Sequence, residues 1–377
     1  MRIAFVSDAA FPWHMGGIEA VERVEAEELA KSHDVEFYSM RWPGMRKEFA
    51  DAGIKYHTLG KTDQHKFYRH GTRSIRQAIK FAISTFNVFN GRYDVIECNM
   101  FPILHIPVLK LYCMLFRCKL VLDVVEIWDS NYWQEYLKNP FFAMLGGAFA
   151  SVFVKMGDAY IANSSATAKK LFNLGIQRHK VDIFAPILND KEMEPFMVKR
   201  KKSNTVVYWG RLIKEKRLDK WIGVIRDAHL MAKNVHGLII GDGPEERSLK
   251  EMIDREGLAK VIDVLPAIPG REPLWKKVCG CAVLMHMSER EGLGLVILES
   301  LALGIPAMLP SYTPVPEEVK AMCVVEDEKN MAGKLVEILK SRKREGYIRN
   351  AQNLEEFKIS KVLDFYNGLF KKLGLSL

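Results

Sequence analysis

The sequence predicts an α/β fold with two Rossmann-like domains that face each other across a cleft. Its 377 residues are too many for one ordinary hydrophobic core, which favours two domains. Short β-rich runs alternate with amphipathic helical patterns along the whole chain, as is typical of parallel sheets with crossover helices. This rhythm restarts after a charged, weakly patterned stretch at 188–204.

The predicted strands are short, mostly apolar runs. The first series comprises RIAFVSD, VEFYSM, DVIECN, KLVLDVV and DAYIANS, and the second comprises TVVYWG, HGLIIGDG, VIDVLPAI, AVLMHMS and IPAMLPS. Near-continuous apolar runs of this length indicate strands that are buried on both faces of a parallel sheet.

Four segments follow from this pattern. We expect an N-terminal Rossmann-like domain at 1–187, a linker at 188–204 and a C-terminal Rossmann-like domain at 205–345. The remainder, 346–377, has a long apolar stripe at helical spacing, which predicts a single C-terminal helix that packs back on the body of the protein.

Composition limits the class of protein without fixing it. The hydrophobic fraction of 48% and charged fraction of 27% exclude wholesale disorder. A net charge of +9 favours an anionic partner, which leaves nucleic acid, a membrane surface and a phosphorylated small molecule open. We expect no nucleic-acid partner, because the basic residues are spread along the chain and no recognised motif appears. The strand that begins at residue 2 and the unpaired pattern of six cysteines predict a reducing, cytoplasmic location.

Two stretches raise a membrane question. The uncharged run 141–154 is shorter than the roughly 20 residues of a spanning helix, so a core helix and a helix lying in the membrane interface both remain open. The stretch 101–119 mixes cations with apolar residues, which fits either an anionic-lipid contact or a helix followed by a buried strand. A peripheral position on the inner face of the membrane is therefore an alternative.

A loop late in the chain indicates the ligand. In SEREGLGLVILES (288–300), Glu291 follows a predicted strand and Glu299 lies on the next predicted helix. Ligands of open α/β sheets collect beyond the carboxyl ends of strands, and free amides at a helix start attract phosphate. Two carboxylates at the ends of one groove suit the hydroxyls of a nucleotide-diphosphate sugar. The alternative is a pair of ordinary surface charges beside a turn.

Four motifs in order strengthen the first interpretation. The segments MGGIEAVERVEAEELA (15–30), WGRLIKEK (209–216), GDGPE (241–245) and EGLGLVILE (291–299) occur at suitable separations. In these motifs the chain resembles the retaining glycosyltransferases of the GT-B fold, known as glycosyltransferase family 4 or group 1. The resemblance is strongest from 206 to 318 and implies transfer of a hexosyl unit from a nucleotide-diphosphate sugar to a hydroxyl acceptor, such as a glycan or lipid-linked saccharide.

The resemblance also implies roles for single residues. Arg211 and Lys216 would neutralise the donor diphosphate and the charge that builds on the leaving group. Glu291 would hold the transferred sugar and Glu299 the ribose hydroxyls. Arg211, Lys216 and Glu291, together with Glu126, are the candidate catalytic residues.

The candidate donor-binding residues include several glycines. The amides of Gly292, Leu293 and Gly294 would meet sugar or phosphate. For Gly241 and Gly243, a structural role and a position beside the donor are equally open.

The acceptor side gives a weaker signal. Gly16 and Gly17 follow the first strand, where they form either a phosphate or acceptor nest or a plain turn. A histidine that is common in the family after a strand of the first domain is not found within 121–131. Glu126 and Asp129 are candidates there to orient an acceptor hydroxyl, and helix-entry charges are the alternative.

No Asp-x-Asp pair occurs, so we expect no metal and no cofactor. Three other functions stay open: another GT-B chemistry such as an epimerase or phosphorylase, a nucleotide-sugar-binding protein without turnover, and an NAD-type Rossmann enzyme.

Overall fold

The computed structural model describes residues 1–13, 17–62, 68–69, 72–128, 130–186, 188–196, 203–341 and 344–375. The chain forms two compact units. The first consists of Met1–Ile187 with Ile359–Leu377, and the second of Leu188–Lys358.

The first unit is built on an eight-stranded sheet with the order β10-β9-β8-β7-β1-β2-β4-β3. Its strands are β1 (Arg2–Ser7), β2 (Asp34–Arg41), β3 (Glu48–Asp51), β4 (Ile54–Lys61), β7 (Val95–Asn99), β8 (Lys119–Val124), β9 (Ala159–Ala162) and β10 (Val181–Ile183). The described pairings are parallel apart from β3 with β4. A separate two-stranded hairpin comprises β5 (Tyr68–Arg69) and β6 (Thr72–Arg73).

The helices of the first unit follow their strands, as expected for crossover connections. They are α1 (Gly17–Leu29), α2 (Ile75–Ser84), α3 (Ile106–Phe116), α4 (Ser130–Leu137), α5 (Pro140–Phe153) and α6 (Ser165–Asn173). Asn139 caps the start of α5, because its side chain accepts hydrogen bonds from the amides of Phe141 and Phe142.

The second unit has a six-stranded sheet in which all described pairings are parallel. Its order is β13-β12-β11-β14-β15-β16, with β11 (Thr205–Trp209), β12 (His236–Ile240), β13 (Ile262–Leu265), β14 (Val283–Met285), β15 (Ala307–Pro310) and β16 (Val324–Glu326). Because β11 lies between β12 and β14, the winding of the chain reverses direction there. The predicted α/β class with two parallel-sheet domains is therefore confirmed.

Short and long helices connect these strands. They are α7 (Asp190–Met193), α8 (Leu218–Met231), α9 (Glu246–Arg255), α10 (Arg271–Val278), α11 (Leu295–Ala302), α12 (Glu317–Lys320) and α13 (Met331–Lys340). Within the residues set out above, no helix is both long enough and apolar enough to cross a bilayer.

The C-terminal segment differs from the expected single element. Short 3₁₀ turns precede α14 (Val362–Lys372), and the division between the units falls between residues 358 and 359. Helix α14 packs on the sheet of the first unit, where the Tyr366 hydroxyl donates to both carboxylate oxygens of Glu97 at 2.8 and 2.9 Å.

The stretch expected to be a linker also differs in its described part. The amide of Leu188 donates to the Phe357 carbonyl at 2.9 Å, and Met193 of α7 is buried. These contacts make 188–196 part of the second unit. The rest of that stretch up to 202 lies outside the described residues.

Candidate active site

The cationic and acidic motifs meet at the carboxyl edge of the second sheet. Arg211 and Lys216 follow β11, and Glu291 follows β14, the strand beside it. Their loops are joined directly, because the Glu289 amide donates to the Glu215 carbonyl at 2.9 Å. The two loops therefore flank the point at which the winding reverses, where open α/β sheets bind ligands.

Glu291 is held by two groups that approach one of its carboxylate oxygens. Lys216 forms an ion pair with Oε1, and Nε2 of His286 lies 2.6 Å from the same atom. Burial would raise the pKa of Glu291, but its interactions with His286 and the Lys216 ammonium outweigh burial and lower that pKa to about 2. The result is a mostly buried carboxylate that stays ionised and fixed in direction.

His286 is a site residue that the sequence analysis missed. It is buried at the end of β14, and its ring is stacked on that of Tyr208 with centroids 5.9 Å apart. Its Nδ1 atom is buried without a hydrogen-bond partner among the described residues. The available signal was its position as the one ionisable side chain of the predicted strand AVLMHMS, five residues before Glu291.

Glu299 occupies a different environment from Glu291. It is buried on α11, 3.6 Å from the guanidinium of Arg271, and the indole of Trp209 lies beside it. Burial raises the pKa of Glu299, and Arg271 and Trp209 offset this only in part. Neither neighbour was singled out from the sequence, although Trp209 ends β11 and Arg271 begins α10.

The guanidinium of Arg211, unlike the ammonium of Lys216, is available to contact a ligand. Its side chain is exposed, and its guanidinium has no hydrogen-bond or ion-pair partner in the part of the chain that the structure describes. The backbone carbonyl of Arg211 accepts a hydrogen bond of 3.0 Å from the Tyr208 hydroxyl, which fixes the loop.

Gly241 and Gly243 lie against the loop that carries Arg211. A Cβ atom at Gly241 would come within 1.9 Å of the Gly210 carbonyl oxygen, and one at Gly243 within 2.2 Å of the Leu212 carbonyl oxygen. Close backbone packing therefore requires glycine at both positions. Their contact with a donor stays a prediction.

Residues 292–294 lead into α11. Gly294 has a φ of 84°, a left-handed conformation that favours glycine, and it precedes the first turn of the helix. The side chain of Leu293 is buried, whereas Gly292 is half-buried. Backbone amides at such a helix start can bind an anion, which keeps the predicted donor contact open.

The acceptor candidates lie in the first unit. Gly17 is the first residue of α1, and Gly16 lies outside the described residues. Glu126 is half-buried after β8 and accepts a hydrogen bond of 3.2 Å from the Trp128 indole. Asp129 also lies outside the described residues.

Buried carboxyl groups line the inner side of α1, a feature that the sequence analysis did not predict. Burial first, and then the nearby Asp123 carboxyl, raises the pKa of Glu97 to about 8. Burial likewise raises the pKa of Glu25, with Glu97 as the next cause. Among the residues that the structure describes, no three or more histidine, cysteine or acidic side chains are grouped so that they could hold a metal ion.

Two parallel-sheet α/β units, with charged loops that meet where the second sheet reverses its winding, match the architecture of the GT-B fold. The sequence family described as "Glycosyl transferases group 1" matches residues 189–354. The resemblance to group 1 glycosyltransferases of the GT-B fold is thereby confirmed.

Similar proteins agree with this class. The phosphatidylinositol N-acetylglucosaminyltransferase GPI3 subunit of Saccharomyces cerevisiae is 26% identical over 157 residues, or 38% of this chain. The match spans 34% of that protein's length, about a third.

Solved structures extend the likeness of fold to the whole chain. Sucrose-phosphate synthase from Thermosynechococcus elongatus has a TM-score of 0.75 at 14% identity, covering 99% of this chain and 98% of that one. HepE from Anabaena, in complex with UDP and glucose, has a TM-score of 0.66 at 16% identity, covering 98% and 99%. At these identities the likeness establishes the fold alone.

Proposed function

We propose that this protein is a glycosyltransferase that moves a hexosyl unit from a nucleotide-diphosphate sugar to a hydroxyl acceptor with retention of anomeric configuration. The observation that carries the proposal is the contact of Lys216 with Glu291 beside the exposed Arg211, within the segment that matches the family. The named activity of the yeast relative and the UDP and glucose in the HepE complex support it.

The second unit binds the donor in this proposal. Glu299, buried beside Arg271, accepts hydrogen bonds from the ribose hydroxyls, and Glu291 accepts one from a hydroxyl of the transferred sugar. Only one oxygen of Glu291 is contacted by Lys216 and His286, which leaves the other oxygen for the sugar. The amides at 292–294 face the anionic linkage.

The two cations act on the leaving group. As the bond between the anomeric carbon and the diphosphate oxygen breaks, negative charge grows on that oxygen. The acceptor oxygen forms the new bond to the anomeric carbon, and its hydroxyl proton passes to the departing diphosphate. Arg211 and Lys216 stabilise this charge without a metal ion. Before the donor binds, the ion pair with Glu291 keeps the Lys216 ammonium at the carboxyl edge of the sheet, where the diphosphate would lie.

The first unit supplies the acceptor site. Gly17 at the start of α1 follows β1, and the half-buried Glu126 follows β8, with β7 between these two strands. A saccharide or lipid-linked hydroxyl would be oriented at the carboxyl edge that these strands share. We place the reaction in the cytoplasm or at the inner face of the membrane.

Two measurements test the proposal. Thermal shifts with UDP, GDP, ADP, CDP and TDP should show selective stabilisation by one nucleoside diphosphate. Incubation of the matching labelled nucleotide sugar with saccharide and lipid acceptors should then give labelled product and acceptor-dependent release of the nucleoside diphosphate.

Arg211→Ala should lower turnover by about a hundredfold, because a preorganised charge at the leaving group is worth about 2.7–4 kcal/mol. Lys214→Ala is the matched control, since Lys214 is an exposed cation of the same loop. Equal losses in the two variants, or a fall in donor affinity alone for Arg211→Ala, would contradict a transition-state role.

The second candidate is a nucleotide-sugar-binding protein without turnover. The departure from the family pattern at 121–131, after β8, favours it. Donor binding without any product over the full acceptor panel is the result that would support this candidate against the first.

A further inference from the structure

Exposed apolar side chains are concentrated on one part of the first unit. Among the described residues, seventeen large hydrophobic side chains are exposed, and twelve of them lie between residues 75 and 152. The other five are Ile183, Leu230, Met231, Tyr312 and Val325. Scattered apolar side chains are normal on a protein surface, but a concentration of this kind marks an interaction site.

The twelve residues form stripes on helices that pack side by side. Helix α3 contacts α2 and the turn Val154–Met156 that follows α5, and all three helices bury their inner faces in one core of the first unit. Their outer faces carry apolar residues at helical spacing. We call this set the apolar face: Ile75, Ile79, Ile83 and Phe86 from α2 and the turn after it; Leu111, Met114 and Leu115 from α3; Phe141, Phe142, Met144, Phe149 and Val152 from α5.

The charges of these helices have one sign. Helices α2, α3 and α5 contain no aspartate or glutamate. Arg76 and Lys80 lie on α2, Lys110 lies on α3, and the exposed Lys138 and Lys155 flank α5. Lys110 is paired with Asp158. Five cations of the helices and their ends have no ion-pair partner among the described residues: Arg76, Lys80, Lys138, Lys155 and Arg117, which is exposed directly after α3.

We propose that the apolar face lies on the surface of an anionic lipid bilayer. Apolar side chains would enter the boundary between headgroups and acyl chains, while the surrounding lysines and arginines contact anionic headgroups. The helices have 10, 11 and 14 residues, lengths that suit helices lying in the interface better than helices crossing it.

A bilayer fits these charges better than a second copy of the chain does. A twofold dimer through the apolar face would bring the same cations of both copies together without an acidic residue on these helices to pair with them. An anionic bilayer satisfies both the apolar and the cationic part of the surface. The proposal concerns binding alone and does not depend on the proposed sugar transfer.

Vesicle co-sedimentation of the full chain tests the proposal. We expect binding to phosphatidylcholine vesicles that contain about a third phosphatidylglycerol, much weaker binding to pure phosphatidylcholine, and a decline with added salt.

The decisive variant is Met114→Glu with Leu115→Glu, whose side chains are 71% and 60% exposed on α3. The matched control is Leu230→Glu with Met231→Glu, adjacent residues that are 66% and 62% exposed on α8 of the second unit. Both pairs change the net charge equally and alter only exposed positions, so each variant should keep the wild-type melting temperature. We expect the α3 pair to weaken vesicle binding by about tenfold or more, through lost apolar insertion, and the α8 pair to leave it nearly unchanged.

Three results would overturn the proposal. They are no binding of the wild type to anionic vesicles, equal losses in the two paired variants, and a concentration-dependent dimer that only the α3 pair abolishes. The last would identify the apolar face as an interface between copies of the chain.

Discussion

At the scale of single residues, Glu291 shows how a buried carboxylate can be kept ionised. Burial acts against its charge, and His286 and Lys216 together reverse that effect at one oxygen. Because Lys216 is one of the two cations assigned to the diphosphate, it would change partners when a donor binds. We infer that His286 is the positioning group that keeps Glu291 oriented during this exchange.

His286→Asn should therefore lower kcat by about tenfold with a smaller change in KM, since a hydrogen bond to a charged group contributes about 1.5–3 kcal/mol. The variant should also raise the pKa of Glu291, because one of the two groups that offset burial is lost. The acidic limb of the pH profile of kcat/KM for the donor should consequently move to higher pH.

The control for this experiment is His229→Asn. His229 makes a 3.1 Å hydrogen bond to the Val235 carbonyl elsewhere in the second unit. A profile of His286→Asn that keeps the wild-type acidic limb, with a loss of rate like that of the control, would refute the positioning role.

Some of these residues could be predicted and others could not. Lys216 and Glu291 occur in motifs directly after apolar strands, so their meeting at one sheet edge follows from parallel topology. His286 and Arg271 act through Glu291 and Glu299, which only the fold brings close to them. No local sequence pattern around either residue distinguishes it from a structural residue. The need for glycine at 241 and 243, which follow β12, also comes from elsewhere in the chain, because the backbone that approaches them belongs to the loop after β11.

At the scale of elements, the docking of α14 places a phenol against an acidic core. Tyr366 donates to Glu97, whose neighbours Glu25 and Asp123 are buried carboxyl groups as well. Burial first, and then the Asp123 carboxyl, raise the pKa of Glu97 to about 8, against an ordinary value of 4.5, and the hydrogen bond from Tyr366 offsets this only in part. In the folded state the Glu97 carboxyl therefore keeps its proton at pH values where the unfolded chain has lost it.

This shift predicts how the stability of the first unit depends on pH. The contribution of the protonated Glu97 carboxyl to the free energy of unfolding is complete below about pH 4.5. It is lost as the pH rises through the pKa that Glu97 has in the folded state, by up to about 1.4 kcal/mol per pH unit for one proton. Urea unfolding at a series of pH values between 5 and 9 should show a falling free energy of unfolding.

Glu97→Gln removes one titrating group and should make this dependence less steep, while its amide oxygen can still accept from Tyr366. A slope should remain, because burial also raises the pKa of Glu25 and of Asp123. Glu272→Gln, at an exposed acid of α10, should leave the wild-type slope unchanged. An unaltered slope in Glu97→Gln would show that this carboxyl does not control the effect.

The strands were more predictable than the C-terminal segment. Runs such as RIAFVS are buried almost throughout, and a buried apolar run of this length leaves little choice of element. The apolar residues after 345 serve two cores, because Tyr347 packs in the second unit whereas Tyr366 and Phe370 pack in the first. Periodicity alone cannot show which core each residue joins.

At the scale of the molecule, the proposed transfer uses fixed protein cations in place of a metal ion. Activity should therefore persist in excess EDTA at the rate measured without it, because Arg211 and Lys216 neutralise the diphosphate. Loss of activity in the chelator that magnesium restores would contradict this expectation. An assay of a magnesium-dependent enzyme under the same conditions serves as the positive control for chelation.

The discontinuous first unit has a consequence for biosynthesis. A ribosome releases residues 188–358, a contiguous unit, before it releases α14, whose Val362, Tyr366, Leu369 and Phe370 complete the core of the first unit. The nascent second unit can thus mature while the earlier-synthesised one still lacks a helix. The N-terminal portion should then remain open to chaperones until α14 has been synthesised.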